Sequence, residues 1–244
     1  MSALRPVALV LALAALVLLA ASGPGVRFDA FSYRVGLGLF RWAAYLGLAG
    51  ALVSVLVLAV PRLRRAGIAA PAAALMVGLA VFYVPFQFQR TARSVPSIND
   101  ITTDTEQPPQ FMTTAKAYPG AEFARRQRTA YPDLAGLKVA LPPREAFARA
   151  LAVAETMGWE VVGRDAQGGR IEAVDTTRWF GFRDDIAIRV SAAEGGSHID
   201  MRSRSRVGRN DLGTNARRIR AYLGRLQAFS GTLAPVEGPR KEGK

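Results

Sequence analysis

Arginine dominates the reactive side chains of this 244-residue chain, which holds 32 Lys+Arg against 19 Asp+Glu, one histidine and no cysteine. Without thiols there is no disulfide framework, no Cys-ligated zinc and no thiol nucleophile. His198 alone cannot build a multi-His metal site or a His-paired triad. It reads as a solvated residue beside a turn, and neither a metal nor a cofactor is expected. Ser205 has acids nearby but no His or Lys base to activate it. Asp184 and Asp185 are consecutive on one strand, so their carboxylates face opposite ways and cannot work as an acid/base pair.

Two groupings remain. Arg178, Arg183, Arg204, Arg206 and Arg209 gather at one end of a sheet, where Arg178, Arg183 and Arg206 are expected to have no acid left to neutralise them. Guanidinium forks on neighbouring strands suit a phosphate or carboxylate. The competing reading is a solvated face laced with cross-strand ion pairs, each contributing little. The second grouping, Asp175, Asp184, Ser203, Ser205, Asp211, Asn215, Arg217 and Arg218, converges beneath two helices. Buried polar groups need internal partners, so this set reads as a network anchoring the last helix in preference to a catalytic pocket.

The elements that position these residues follow from periodicity. A helix starts at Pro142-Pro143 and stops at Gly158, with Phe147, Ala150, Leu151 and Ala154 as its buried stripe. Four strands are expected over 159–164, 170–178, 183–190 and 197–206, with turns at 167–169, at Phe180-Gly181 and at 194–196. A final helix over 214–229 carries Ile219, Tyr222, Leu223, Leu226 and Phe229 on one face. The predicted fold class is α+β: N-terminal transmembrane helices followed by a two-layer sandwich of a four-stranded antiparallel meander with two helices on one face.

Charge tests the register. Pairing strands three and four through the 194–196 turn sets Val190 against Ile199, Ile188 against Met201 and Asp184 against Ser205, with Arg189 facing Asp200 and Asp185 facing Arg204. Centring the preceding turn on Phe180-Gly181 sets Glu172 beside Arg189 and Thr176 beside Asp185. The face away from the helices would then carry Arg164, Arg170, Arg178, Arg183, Arg189, Arg202, Arg204 and Arg206 against Glu160, Glu172, Asp185 and Asp200, open to solvent.

The first 89 residues hold three uncharged stretches, read as about three transmembrane helices at 7–21, 42–60 and 66–86. The first is read as a retained helix in preference to a cleaved signal. Arg62, Arg64 and Arg65 crowd the connection between the second and third, which marks it as cytoplasmic, with Arg5 on the same side. Arg27, Arg34 and Arg41 lie in the opposite loop, and Arg90 and Arg93 follow the last span. The expected localisation is a multi-pass protein of a bacterial inner membrane with its C-terminal domain in the periplasm. Ala43, Gly47 and Ala51 recur every fourth residue and permit close helix packing. Residues 90–141 read as an extended lead-in, 142–230 as the α+β domain and 231–244 as a disordered tail.

The strings Phe182-Arg183-Asp184-Asp185, Arg202-Ser203-Arg204-Ser205-Arg206-Val207-Gly208 and Asp211-Leu212-Gly213-Thr214-Asn215 with Arg217-Arg218 are similar to the signature half of the uncharacterised bacterial family called domain of unknown function 1499. The stretch from Pro96 to Asp104, with Pro108-Pro109, resembles that family's N-terminal segment, so the resemblance spans about residues 94–229. It implies no particular activity or catalytic residue. It does imply a membrane-attached N terminus and an envelope location. The chain departs from some relatives in lacking cysteines in the lead-in.

The preferred functional expectation is a membrane-anchored, non-catalytic envelope module that binds an anionic lipid, an anionic polymer or an acidic protein partner through its arginines. Nucleic acid is disfavoured by the external location and the lack of outward aromatics on the sheet. One alternative is a hydrolase or transferase using Asp184, Ser205, Asp211 and Asn215. Another is a scaffold or accessory subunit of a membrane complex.

Overall fold

The computed structural model describes residues 3–65 and 67–231, which divide into two compact units. The first contains the N-terminal helices α1 (Leu4–Arg27), α2 (Tyr33–Ala59), the short α3 (Pro61–Arg64) and α4 (Ala69–Ser94). Three of them are long and apolar enough to cross a membrane. At about 1.5 Å per residue they run to roughly 36–40 Å, against about 30 Å of hydrocarbon. α1 overruns the expected 7–21 at both ends, α2 begins well before the expected 42–60 but ends at Ala59, and α4 starts at Ala69 and runs past the expected 66–86 to Ser94, because backbone hydrogen bonding continues into polar flanks that hydropathy does not mark.

Small residues set the bundle's contacts. A Cβ added to Gly47 would lie 2.8 Å from the Gly78 carbonyl oxygen, and one added to Gly78 would lie 2.5 Å from that of Gly47. Ala43 and Ala51 are buried on the same stripe. Arg5 reaches across to donate to the carbonyls of Leu63 (2.9 Å) and Gly67 (2.6 Å).

This unit also includes a remote segment, Thr177–Phe182. Arg27 donates to the carbonyls of Thr177 (3.0 Å) and Arg178 (2.8 Å). Phe180 stacks on Phe182 and meets Phe40 edge-on, and Phe182 meets Tyr33 in the same manner. Trp179 lies over Gly23, where there is no room for a Cβ. Gly181 adopts φ +68°, and a Cβ there would come within 2.9 Å of the Arg27 Cα.

The second unit, Pro96–Thr176 with Arg183–Lys244, is α+β. In chain order it contains β1 (Asp100–Thr102), α5 (Ala121–Ala130), β2 (Leu137–Val139), α6 (Pro143–Thr156), β3 (Glu160–Asp165), β4 (Arg170–Thr176), β5 (Arg183–Ala193), β6 (Gly196–Ser205) and α7 (Thr214–Gly231). The sheet therefore has six strands where four were expected, in the order β1-β6-β5-β4-β3, with β2 also on β6. The two extra strands come from the lead-in over 90–141, which is not simply extended: it completes α4 and contributes β1, α5 and β2. At three residues each, both strands are too short to carry a readable alternation. The expected disordered tail over 231–244 lies, past Gly231, outside the described residues.

The β5/β6 register is the expected one: Val190 pairs Ile199, Ile188 pairs Met201, Arg189 pairs Asp200 and Asp185 pairs Arg204. The β4/β5 register differs by two residues, with Arg170 opposite Arg189, Glu172 opposite Ala187 and Thr176 opposite Arg183. Thr177–Phe182 is a six-residue excursion held by the helical unit, not a tight turn centred on Phe180-Gly181. A two-residue shift preserves each side chain's face, so the core pattern survives.

On one face α6 and α7 seal the core. Phe147, Ala150, Val153 and Ala154 meet Ile219, Tyr222 and Leu226 over Ile171, Ile186, Ile188, Ile199 and Met201. The opposite face was expected to be open, and here the structure corrects the expectation. Residues 103–118 cross it as a strap. Glu172 accepts from the backbone N–H groups of Met112 (2.5 Å) and Thr113 (2.8 Å). Arg189 donates to the Gln107 carbonyl and to Asp104, and Arg202 to the carbonyls of Pro109 and Lys116. Arg164 also departs from the expected outward row, because a bulge between Val161 and Gly163 puts it opposite Ile171, a core-facing residue.

Candidate functional site

The helix-facing side of β4, β5 and β6 loses its apolar character at one end, and α7 supplies the complement. Asp175 and Asp184 are cross-strand partners, as are Asp184 and Ser205. Asn215 and Arg218, three apart on the first turns of α7, descend together onto them. Arg218 donates to Asp175 (2.7 Å), Asp184 (2.6 Å), the Ser203 hydroxyl (3.0 Å) and Asn215 Oδ1 (2.6 Å). Ser203 donates to Asn215 Oδ1 (2.7 Å), while Asn215 Nδ2 donates to Ser205 Oγ and to the Asn99 carbonyl, both at 3.1 Å.

Asp211 closes the set by starting α7. Its two carboxylate oxygens accept from the N–H groups of Gly213 and Asn215, both at 2.8 Å. That satisfies donors a helix N-terminus leaves free. Burial, joined by the nearby Asp184, pushes the Asp211 carboxyl above its ordinary range, although those N–H bonds pull it back. Of the eight residues expected in this network, only Arg217 stands apart: it is exposed and donates to the Leu212 carbonyl and Thr214 Oγ1. The cluster can hold a helix on a sheet. Both of its serines and its carboxylates are hydrogen-bonded to neighbours within the cluster.

The five arginines expected to bind an anion are placed differently from one another. Arg178 lies in the helical unit. Arg183 pairs Glu160 at 3.1 Å, Arg206 pairs Asp185 at 2.7 Å and Arg204 approaches Asp100 at 3.6 Å. The expectation that no acid would neutralise this end is thus corrected: bulge-side Glu160 and buried Asp185 are both within reach. Arg183 and Arg206 nonetheless stay 45% and 40% exposed, and Arg209 forms no ion pair among the described residues. His198 is partly buried, with Nε2 3.4 Å from Asp200.

Sequence reasoning missed the other face's centre. Arg202, fully buried, forms a two-pronged pair with Asp100 (2.8 Å on each side) and lies beneath the rings of Phe111 and Tyr118. Burial, then the Asp100 charge, pushes the Tyr118 hydroxyl up to about 12. Gln127 of α5 mimics a further strand: Oε1 accepts from the Thr102 N–H and Nε2 donates to the Thr102 carbonyl. The conspicuous Pro96 to Asp104 stretch was the available signal, since it supplies Asn99, Asp100 and Thr102.

No curated protein matches the chain. The model of a family described as a protein of unknown function, DUF1499, matches residues 100–226. That interval opens on the β1 aspartate that holds Arg202 and closes on the α7 leucine that seals the core. The chain belongs to the DUF1499 family.

Proposed function

We propose that the chain is a membrane-anchored, non-catalytic envelope module whose α+β unit binds an anionic group or an acidic partner through Arg183, Arg204, Arg206 and Arg209. In this reading the α+β unit sits on the periplasmic side of a bacterial inner membrane. The observation that carries the reading is the closure of the polar cluster. Asp184, Ser205, Asp211 and Asn215, which a hydrolase or transferase would need free, are bonded to Arg218, to one another and to the α7 backbone. What remains presented is guanidinium. Arg183 and Arg206 are half-exposed although paired, Arg209 is exposed, and Asp100 divides its charge between Arg202 and Arg204. The arginines Arg5, Arg62, Arg64 and Arg65 at one end of the helical bundle support a cytoplasmic placement of that end.

Retention of the detergent-solubilised full chain on phosphocellulose tests the binding. Arg183→Glu with Arg209→Glu should elute at markedly lower salt than Arg125→Glu with Arg126→Glu, which changes net charge equally on α5. Equal elution of the two variants would refute a localised site.

A further inference from the structure

We propose that one end of the helical bundle, formed by the α1–α2 turn and the docked Thr177–Phe182 segment, binds the headgroups of anionic phospholipids. This inference stands independently of the arginines on the sheet. Three observations converge within the helical unit.

The first is charge. Arg27, Arg34 and Arg178 are all exposed here, and residues 1–95 contain a single acid, Asp29. Among the described residues none of these arginines forms an ion pair, whereas the α+β unit pairs ten of its arginines. Guanidinium matches phosphate in shape and charge.

The second is exposed aromatic surface beside that charge. Phe28 is 76% exposed and Trp179 46% exposed, while Phe180 and Phe40, their neighbours in sequence or contact, are buried. Apolar rings left outside at the end of a membrane-crossing bundle belong at the headgroup level, where tryptophan is enriched.

The third is how the surface is assembled. A topology signal needs only arginines in loops beside the spans. Here Arg178 and Trp179 arrive from far along the chain, fixed by two hydrogen bonds from Arg27 and by close contact at Gly23 and Gly181. Phe180 is the anchor of that docking. Trp179 and Arg178 are the part left facing outward.

In this arrangement Arg34 and Arg178 pair with lipid phosphate, Trp179 and Phe28 occupy the interface between headgroup and acyl chain, and Arg27 positions the loop by holding its carbonyls.

The full chain in nanodiscs tests this through tryptophan quenching by lipids brominated on the acyl carbons nearest the headgroup. The Trp179 component is the part of the quenching lost in Trp179→Phe. In discs of mixed phosphatidylglycerol and phosphatidylcholine, that component should be larger when the phosphatidylglycerol carries the bromine. Arg34→Gln with Arg178→Gln should reduce the excess by about fivefold per arginine removed, and Arg125→Gln with Arg126→Gln should leave it unchanged. The near-ultraviolet signal of Trp159, stacked on Tyr222, monitors folding of the variants. A Trp179 component of zero would overturn the interfacial placement. Equal quenching of wild-type protein by either brominated lipid would overturn the anionic preference without requiring any variant to fold.

Discussion

Replacing Arg218 with alanine should loosen α7 more than any other single arginine substitution on that helix. Arg218 is 4% exposed in its side chain and binds two carboxylates of unequal burial: Asp175 is 33% exposed and Asp184 only 4%. Water can take over at Asp175. It cannot reach Asp184, which would be left as an uncompensated charge near Asp211. Removing one partner of a buried pair typically costs about 3–5 kcal/mol, equivalent to a drop of roughly 10–20 °C in melting temperature for a domain of this size. Arg217→Ala, one residue earlier and exposed, should cost no more than about 0.5 kcal/mol. The assay is thermal unfolding of the full chain in mild detergent, followed by near-ultraviolet circular dichroism. Trp159 is the only tryptophan of the α+β unit and stacks on Tyr222 at 5.4 Å. Asp184→Ala combined with Arg218→Ala should cost less than the two single variants added together, by about 0.5–3 kcal/mol. Matching losses for Arg217→Ala and Arg218→Ala, or strict additivity in the double variant, would refute the argument that the network holds the helix.

Other expectations follow from the same contacts. Glu172→Ala deprives the strap of three hydrogen bonds and should raise hydrogen exchange at Met112 and Thr113 while leaving α6 protected. Burial raises the Asp104 carboxyl, but the N–H groups of Gln107 and Glu106 and the Arg189 side chain outweigh it and hold the group below its ordinary 3.8. Its stabilising contribution is therefore present above that value and lost as pH falls through the lowered one, and Asp104→Asn should flatten the acid limb of stability against pH. Asp211 has the opposite sign: its raised carboxyl makes ionisation costly, so its contribution weakens as pH rises from 3.8 through the folded value. Acid titrations of wild type and Asp211→Asn should differ in slope there. Gly181→Ala combines a positive φ with a 2.9 Å approach to Arg27 and should destabilise loop docking by about 1–2 kcal/mol, read as faster proteolysis within Thr177–Phe182. Gly78→Val should separate α2 from α4, since its first added carbon already meets the Gly47 backbone, and loss of short-range cross-linking between the two helices, with longer cross-linkers still effective, would report it.

The network on the helix-facing side was legible because its members obey local periods. Strand alternation places Asp175, Asp184, Ser203 and Ser205 on one face, and a spacing of three places Asn215 and Arg218 on one stripe of α7. The same alternation, checked by Arg189 against Asp200 and Asp185 against Arg204, gave the β5/β6 register correctly. The β4/β5 register slipped because Phe180-Gly181 looks like a hairpin turn in isolation, whereas Arg27 and Phe40 bind that segment to the helices. No local signal encodes a contact between residues so far apart in the chain.

Composition and hydropathy by themselves determined that the chain has apolar segments capable of crossing a membrane, a basic balance, no thiol chemistry and an α+β half with one polar end to its core. Which arginines remain available was decided only by tertiary structure. Arg202 and Arg204 occupy equivalent alternate positions on β6, yet the first is sealed under Phe111 and Tyr118 and the second stays partly exposed. The strap that separates them lacks periodicity, so its path is set by long-range hydrogen bonds to Glu172, Arg189 and Arg202. Alternation fixes the direction of a side chain from its own strand; burial depends on what the rest of the chain later lays over it.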